Sequence, residues 1–116
     1  MDIKKSISSF IYGEETCFQV YGFKSCPYYQ KAVSLGESLE KNHGNITVDI
    51  VPIDRNEWSD VLEQRTQDLG GKAVYHRTCP LVQEGCDVNA RKFVGGYSDF
   101  LNEARKRKYK YERKKD

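Results

Sequence analysis

Apolar positions change period several times along the chain, and each change marks an element. Ile3, Ile7, Phe10 and Ile11 recur at helical steps, predicting a short N-terminal helix that Gly13 ends. Phe18-Gln19-Val20-Tyr21-Gly22-Phe23 is β-branched and aromatic, so residues 16–23 read as a strand. Cys17 at its start reads as a small buried hydrophobe, the usual condition of a free cysteine. Helical spacing resumes after Cys26 and runs to about Asn42, with Tyr28, Ala32, Val33, Leu35 and Leu39 as the buried stripe and Tyr29 pointing off it. Gly44 stops this helix.

Ile46 to Ile53 alternates and then becomes continuously apolar, which predicts a largely buried central strand with Pro52 at its end or at a bulge. Asp54-Arg55-Asn56-Glu57 supplies a capping oxygen and first-turn acids for the next helix, whose inner face is Trp58, Val61, Leu62 and Leu69. Gly70-Gly71 ends it, and Lys72 to His76 forms a connection whose Tyr75 and His76 are placed at a cleft. Pro80 to Gln83 and Arg91 to Val94 read as a hairpin around the turn-forming stretch Glu84 to Asn89. Gly95-Gly96 precedes a last helix from Tyr97 to about Arg107, with Phe100, Leu101 and Ala104 facing inward.

The 116 residues suffice for one domain with a real core, assigned to residues 1–107. Formal charge is only +2, yet the last twelve residues hold eight Lys or Arg against two acids, so the body before them is net acidic. Residues 108–116 therefore read as a basic, frayed tail without a buried face. Such a run leaves nucleic-acid binding or a nuclear signal as alternatives to a solvated tail, which is favoured. No apolar run reaches the 18 or so residues that span a membrane, and no signal-peptide core is visible, so a cytoplasmic monomer without membrane contact is expected. In that reducing setting the four cysteines are not expected to form a disulfide framework. His43 and His76 lack partners at ligand spacing, and no metal site is assigned.

Chemistry concentrates at Lys24-Ser25-Cys26-Pro27-Tyr28-Tyr29. Pro27 suits the first helical position, because its missing N–H is one that a helix start leaves unpaired. Cys26 is then the N-cap, where free N–H groups and the positive end of the helix dipole favour thiolate over thiol, with Lys24 adding charge nearby. The ordinary alternative is a buried structural cysteine. The order strand, Cys-Pro, helix favours the reactive one.

These residues resemble a family. Cys26-Pro27-Tyr28-Tyr29 is similar to the Cys-Pro-Tyr-Cys site of glutaredoxins, with Tyr29 in place of the second cysteine. Arg77-Thr78-Cys79-Pro80 resembles the family's Thr-Val-Pro segment with its cis-proline, and Gly95-Gly96-Tyr97-Ser98-Asp99 resembles its glutathione-binding turn. The resemblance spans residues 17 to 106 and implies an α/β, thioredoxin-like fold, a four-stranded mixed sheet flanked by helices, here with an extra N-terminal helix. It also implies a glutathione-dependent thiol–disulfide oxidoreductase working by a one-cysteine route, with glutathione as co-substrate and glutathionylated proteins or small mixed disulfides as partners.

On that pattern Cys26 is the nucleophile, and Pro27, Tyr28, Tyr29, Cys79 and Pro80 are its neighbours. Glutathione would be held by Lys24, Arg77, Thr78, Cys79, Pro80, Gly96, Ser98 and Asp99: backbone at Cys79 for the cysteinyl part, Ser98 and Asp99 for the γ-glutamyl end, and Arg77 and Lys24 for the glycine carboxylate. The family's basic residue three positions before the active cysteine is Phe23 here. Ser98 and Asp99 could instead only cap the helix, and Lys24 could be a solvated charge. Single-cysteine relatives can hold a [2Fe–2S] cluster between two subunits, which is the competing class, although their cluster-binding motif is Cys-Gly-Phe-Ser and Cys-Pro-Tyr-Tyr is closer to the catalytic subgroup; a redox-inactive interaction protein is the other alternative. Cys79 standing where the family has Val places a second sulfur beside Cys26, as a small apolar filler or as a reactive partner.

Overall fold

A computed structural model describes residues 14–112, so the expected helix over residues 3–12 and the tail end at 113–116 lie outside the described residues. The chain runs β1 (Thr16–Gly22), α1 (Pro27–Asn42), β2 (Ile46–Pro52), α2 (Trp58–Leu69), a 3₁₀ turn (Gly71–Tyr75), β3 (Leu81–Glu84), β4 (Lys92–Gly95) and α3 (Tyr97–Lys106). The sheet order is β2-β1-β3-β4. β1 pairs in parallel with β2, Val20 opposite Ile50, and antiparallel with β3, Val20 opposite Val82. β3 and β4 form the expected hairpin, with an irregularity between Val82 and Gln83.

The alternation in β1 sorts the core into two layers. Phe18 and Val20 meet Tyr29, Ala32, Leu35 and Leu39 of α1 and Phe100 and Ala104 of α3. The opposite face of the sheet carries Leu81 with Trp58 and Leu62 of α2. Gln19 and Gln83, paired across β1 and β3, are buried on that face and satisfy one another through a 2.9 Å bond from Gln83 Nε2 to Gln19 Oε1. Gly36 brings α1 against β2: a Cβ there would lie 2.7 Å from Val48 Cγ1.

Several expectations from the pattern are corrected. β2 is an edge strand, paired among the described residues with β1 alone, and Pro52 sits at its last position, where the missing donor costs nothing in the ladder. α2 starts at Trp58, after a turn in which the Asp54 carbonyl accepts from the Glu57 N–H, so neither Asp54 nor Asn56 caps it. The stripe of α1 includes Tyr29, 4% exposed, while Tyr28 is 58% exposed. Only one of two adjacent helical positions can face the sheet, and the N-cap geometry of Cys26 selects Tyr29.

Cys17 is not a free buried thiol. It forms a disulfide with Cys86 in the β3–β4 loop, with Cα atoms 5.0 Å apart. The antiparallel pairing of β1 with β3 returns that loop to the start of β1, where the Gly85 N–H donates to the Cys17 carbonyl at 2.8 Å. The 69-residue separation hides this from a linear reading.

Residues 108–112 also differ from the expected frayed tail. α3 ends in a Schellman arrangement: Lys108 has φ +59°, its N–H reaches the Arg105 carbonyl, and the Tyr109 N–H reaches that of Ala104. This reverses the chain onto α1. Tyr109 and Tyr111 pack against the core, the Tyr109 ring lies 5.2 Å from that of His43, and the Glu112 N–H donates to Ser38 Oγ at 2.6 Å. Arg107 anchors the turn with two bonds to the Glu84 carboxylate, at 2.8 and 2.7 Å.

Candidate active site

Strand β1 ends at Gly22, and the chain turns through Phe23 to Ser25 before Pro27 opens α1. The turn closes with a bond from the Cys26 N–H to the Phe23 carbonyl at 3.0 Å. Cys26 is the N-cap, in extended backbone geometry, and its Sγ accepts from the Tyr29 N–H at 3.4 Å. Its thiol can also donate to the Cys79 carbonyl, 3.5 Å away. Sequence reasoning placed this sulfur at a helix start, and the fold puts it there, 8% exposed and unbonded to another sulfur.

The Cys79–Pro80 peptide is cis, and it enters β3 beside Cys26. Cys79 is a free thiol, partly buried next to Cys26, whose Sγ contacts the Cys79 carbonyl. Burial first, and then the hydrogen bond and like charge of Cys26, push the Cys79 thiol up to about 12, against the opposing pull of the Phe23 backbone and the Arg55 guanidinium. Gly22 makes room for Tyr29 and Cys79, since a Cβ there would enter the Tyr29 ring and lie 2.9 Å from Cys79 Sγ. Tyr29 fills the place at helix position three with a buried ring, and burial, followed by the charge of Cys79, raises its phenol. His76 Nε2–H donates to the Pro80 carbonyl at 2.9 Å and its ring stacks edgewise on Phe93, so it braces the cis-proline segment from behind. Tyr75, by contrast, is 83% exposed.

The remaining candidates divide. Gly96 lies next to this segment: a Cβ on it would be 3.8 Å from the Pro80 carbonyl. The α3 start is thereby brought to the cis-proline side of the site. Ser98 and Asp99 are exposed there, and Asp99 Oδ2 accepts from the Gly96 N–H at 3.0 Å, a helix-capping bond. Lys24, Arg77 and Thr78 are exposed, and the Lys24 carbonyl is held by Gln30 Nε2 at 2.7 Å. The cation that linear reading missed is Arg55. Its guanidinium lies 4.6 Å over the Phe23 ring. The parallel register sets this up: Gly22 faces Pro52 and the Ile53 N–H donates to the Gly22 carbonyl, so the chain leaving β2 runs past Phe23. Nothing in the sequence near Cys26 signals it.

Among the described residues one group of metal-ligand types comes together, Glu15 with Cys17 and Cys86, and its two sulfurs are already bonded to each other.

A family model described as the putative malate dehydrogenase 1B N-terminal domain matches residues 17–115. The chain belongs to that family. Comparison with curated proteins gives no match. Among solved structures the chain is similar to reduced Escherichia coli glutaredoxin, at 22% identity and TM-score 0.58, over 78% of this chain and 94% of that one. This family member therefore has the thioredoxin-like fold of glutaredoxin, a mixed four-stranded sheet with flanking helices. Among the described residues no helix is long and apolar enough to cross a membrane.

Proposed function

We propose that this domain is a thiol–disulfide oxidoreductase that acts on glutathione mixed disulfides, with Cys26 as nucleophile. The observation that carries the reading is the position of Cys26 Sγ: at the N-terminus of α1, facing the Tyr29 N–H, and 3.5 Å from the carbonyl that precedes a cis-proline. The Cys26 thiolate attacks the glutathionyl sulfur of a mixed disulfide, the substrate thiolate leaves, and a second glutathione returns Cys26 to its reduced form. The N–H and carbonyl of Cys79, just before β3, are the groups that would pair with the tripeptide backbone, and the α3 start at Ser98 offers N–H groups to a carboxylate. Arg55, over the Phe23 ring, is a cation whose charge bears on Cys79.

A dehydrogenase reading of the family description is not adopted for this chain. Its four-stranded sheet lacks the doubly wound strand order, and no Gly-x-Gly-x-x-Gly segment occurs in the sequence. A [2Fe–2S] cluster shared between two copies would draw on Cys26 thiolate as ligand. Cys26 is 8% exposed and already engaged by Cys79 and the backbone, which suits exchange within a cleft better than bridging to a second copy. The test is turnover of a small glutathione mixed disulfide in the presence of glutathione. Wild type is expected to turn over and Cys26→Ser to lose all but a trace. Comparable activity in the variant would overturn the assignment.

A further inference from the structure

Four cysteines are present, and the fold divides them into two pairs with different surroundings. Cys17 and Cys86 are bonded to each other at the far end of β1. Cys26 and Cys79 are both free and come from segments 53 positions apart, yet Cys26 Sγ lies 3.5 Å from the Cys79 carbonyl, and Gly22 leaves open the space that Cys79 Sγ and the Tyr29 ring fill. The site that usually carries a second sulfur on the helix holds the buried Tyr29 ring instead.

We infer that Cys79 is a resolving thiol, delivered by the cis-proline strand, that converts glutathionylated Cys26 into an intramolecular Cys26–Cys79 disulfide. The inference rests on the reading of Cys26 as a nucleophile toward glutathione disulfides and extends it to a two-thiol cycle. In the first step the Cys26 thiolate attacks glutathione disulfide, a sulfur–sulfur bond forms to Cys26, and one glutathione thiolate leaves. In the second, Cys79 gives up its proton and attacks Cys26 Sγ, the new bond joins the two protein sulfurs, and the second glutathione leaves and takes a proton. Two protein thiols are oxidised and one glutathione disulfide is reduced to two glutathione thiols.

The groups that bear on Cys79 are Cys26, Tyr29, Arg55 and the Phe23 backbone. While Cys26 is free, its hydrogen bond and charge help to keep Cys79 protonated.

The experiment incubates wild type and Cys79→Ser with glutathione disulfide over a range of glutathione ratios, followed by alkylation, intact mass and peptide mapping. Wild type is expected to gain a glutathionyl group at Cys26 transiently, then to lose it and yield a linked Cys26–Cys79 peptide, whereas Cys79→Ser accumulates the adduct at Cys26. Persistent glutathionylated Cys26 in wild type, with Cys79 still alkylatable, overturns the inference and leaves the proposed nucleophile standing. A second arm uses diamide, a thiol oxidant that needs no glutathione. If neither protein is glutathionylated but diamide links Cys26 to Cys79, the glutathione reading falls and the resolving pair stands; failure in both arms removes both.

Discussion

The Cys17–Cys86 bond closes a segment separated by 69 residues, so breaking it should cost the fold more than any other single covalent change. In the chain-entropy description, a loop of that length restricts the unfolded ensemble by about 4 kcal/mol at 25 °C, inside the usual range of about 2 to 5 for a native disulfide. For a domain of this size about 1 kcal/mol moves the melting midpoint by roughly 4–8 °C, so the shift should be at least about 10 °C. Cys86 is exposed, so a phosphine reductant reaches the bond without unfolding the protein. The assay is urea and thermal unfolding of wild type with and without reductant, beside Cys17→Ser/Cys86→Ser, whose midpoint should match reduced wild type and not respond to reductant. The double variant removes the ambiguity from Cys26 and Cys79, which remain as thiols in both. Equal midpoints for all samples, with four alkylatable cysteines in unreduced wild type, would refute the reasoning.

Lys108 adopts the left-handed conformation at the end of α3, so Lys108→Gly should raise stability by about 1 kcal/mol, read as a higher urea midpoint with an unchanged slope. Gly36→Ala forces a methyl against Val48 and should destabilise by about 1 kcal/mol net, since overpacking costs about 1–3 and helix propensity returns up to about 1; made in a Val48→Ala background the same change should cost little, and additive effects of the two substitutions would count against the close approach. Because the Cys79 thiol is raised to about 12, the folded state keeps it protonated where the unfolded chain ionises it. That contribution is fully present below the unfolded value near 9 and is lost as pH rises toward 12, so stability should fall across this window more steeply in wild type than in Cys79→Ala. Parallel curves would exclude the effect.

Where a residue's role depends on its chain neighbours, the sequence sufficed. Cys26-Pro27 after a β-branched run and before a helical stripe could only be a strand end, a cap and a first turn, and the hairpin around Gly85 and the start of α3 follow from local turn chemistry and period. The mixed sheet and its helices follow from the order of those elements. What the sequence left open was pairing across distance. The choice of β3 as second neighbour of β1 brought Cys86 to Cys17 and set Cys79 beside Cys26, each a contact between segments more than fifty positions apart. Arg55 reached Phe23 only through the register of β2 on β1. The tail ran the same way: a charge run with no apolar period looks solvated, but one left-handed residue at 108 turns it onto α1, where two tyrosines find a surface that the linear pattern does not display. Local propensity is encoded within a few residues, whereas these contacts are selected by the packing of whole elements, and only the tertiary structure decides them.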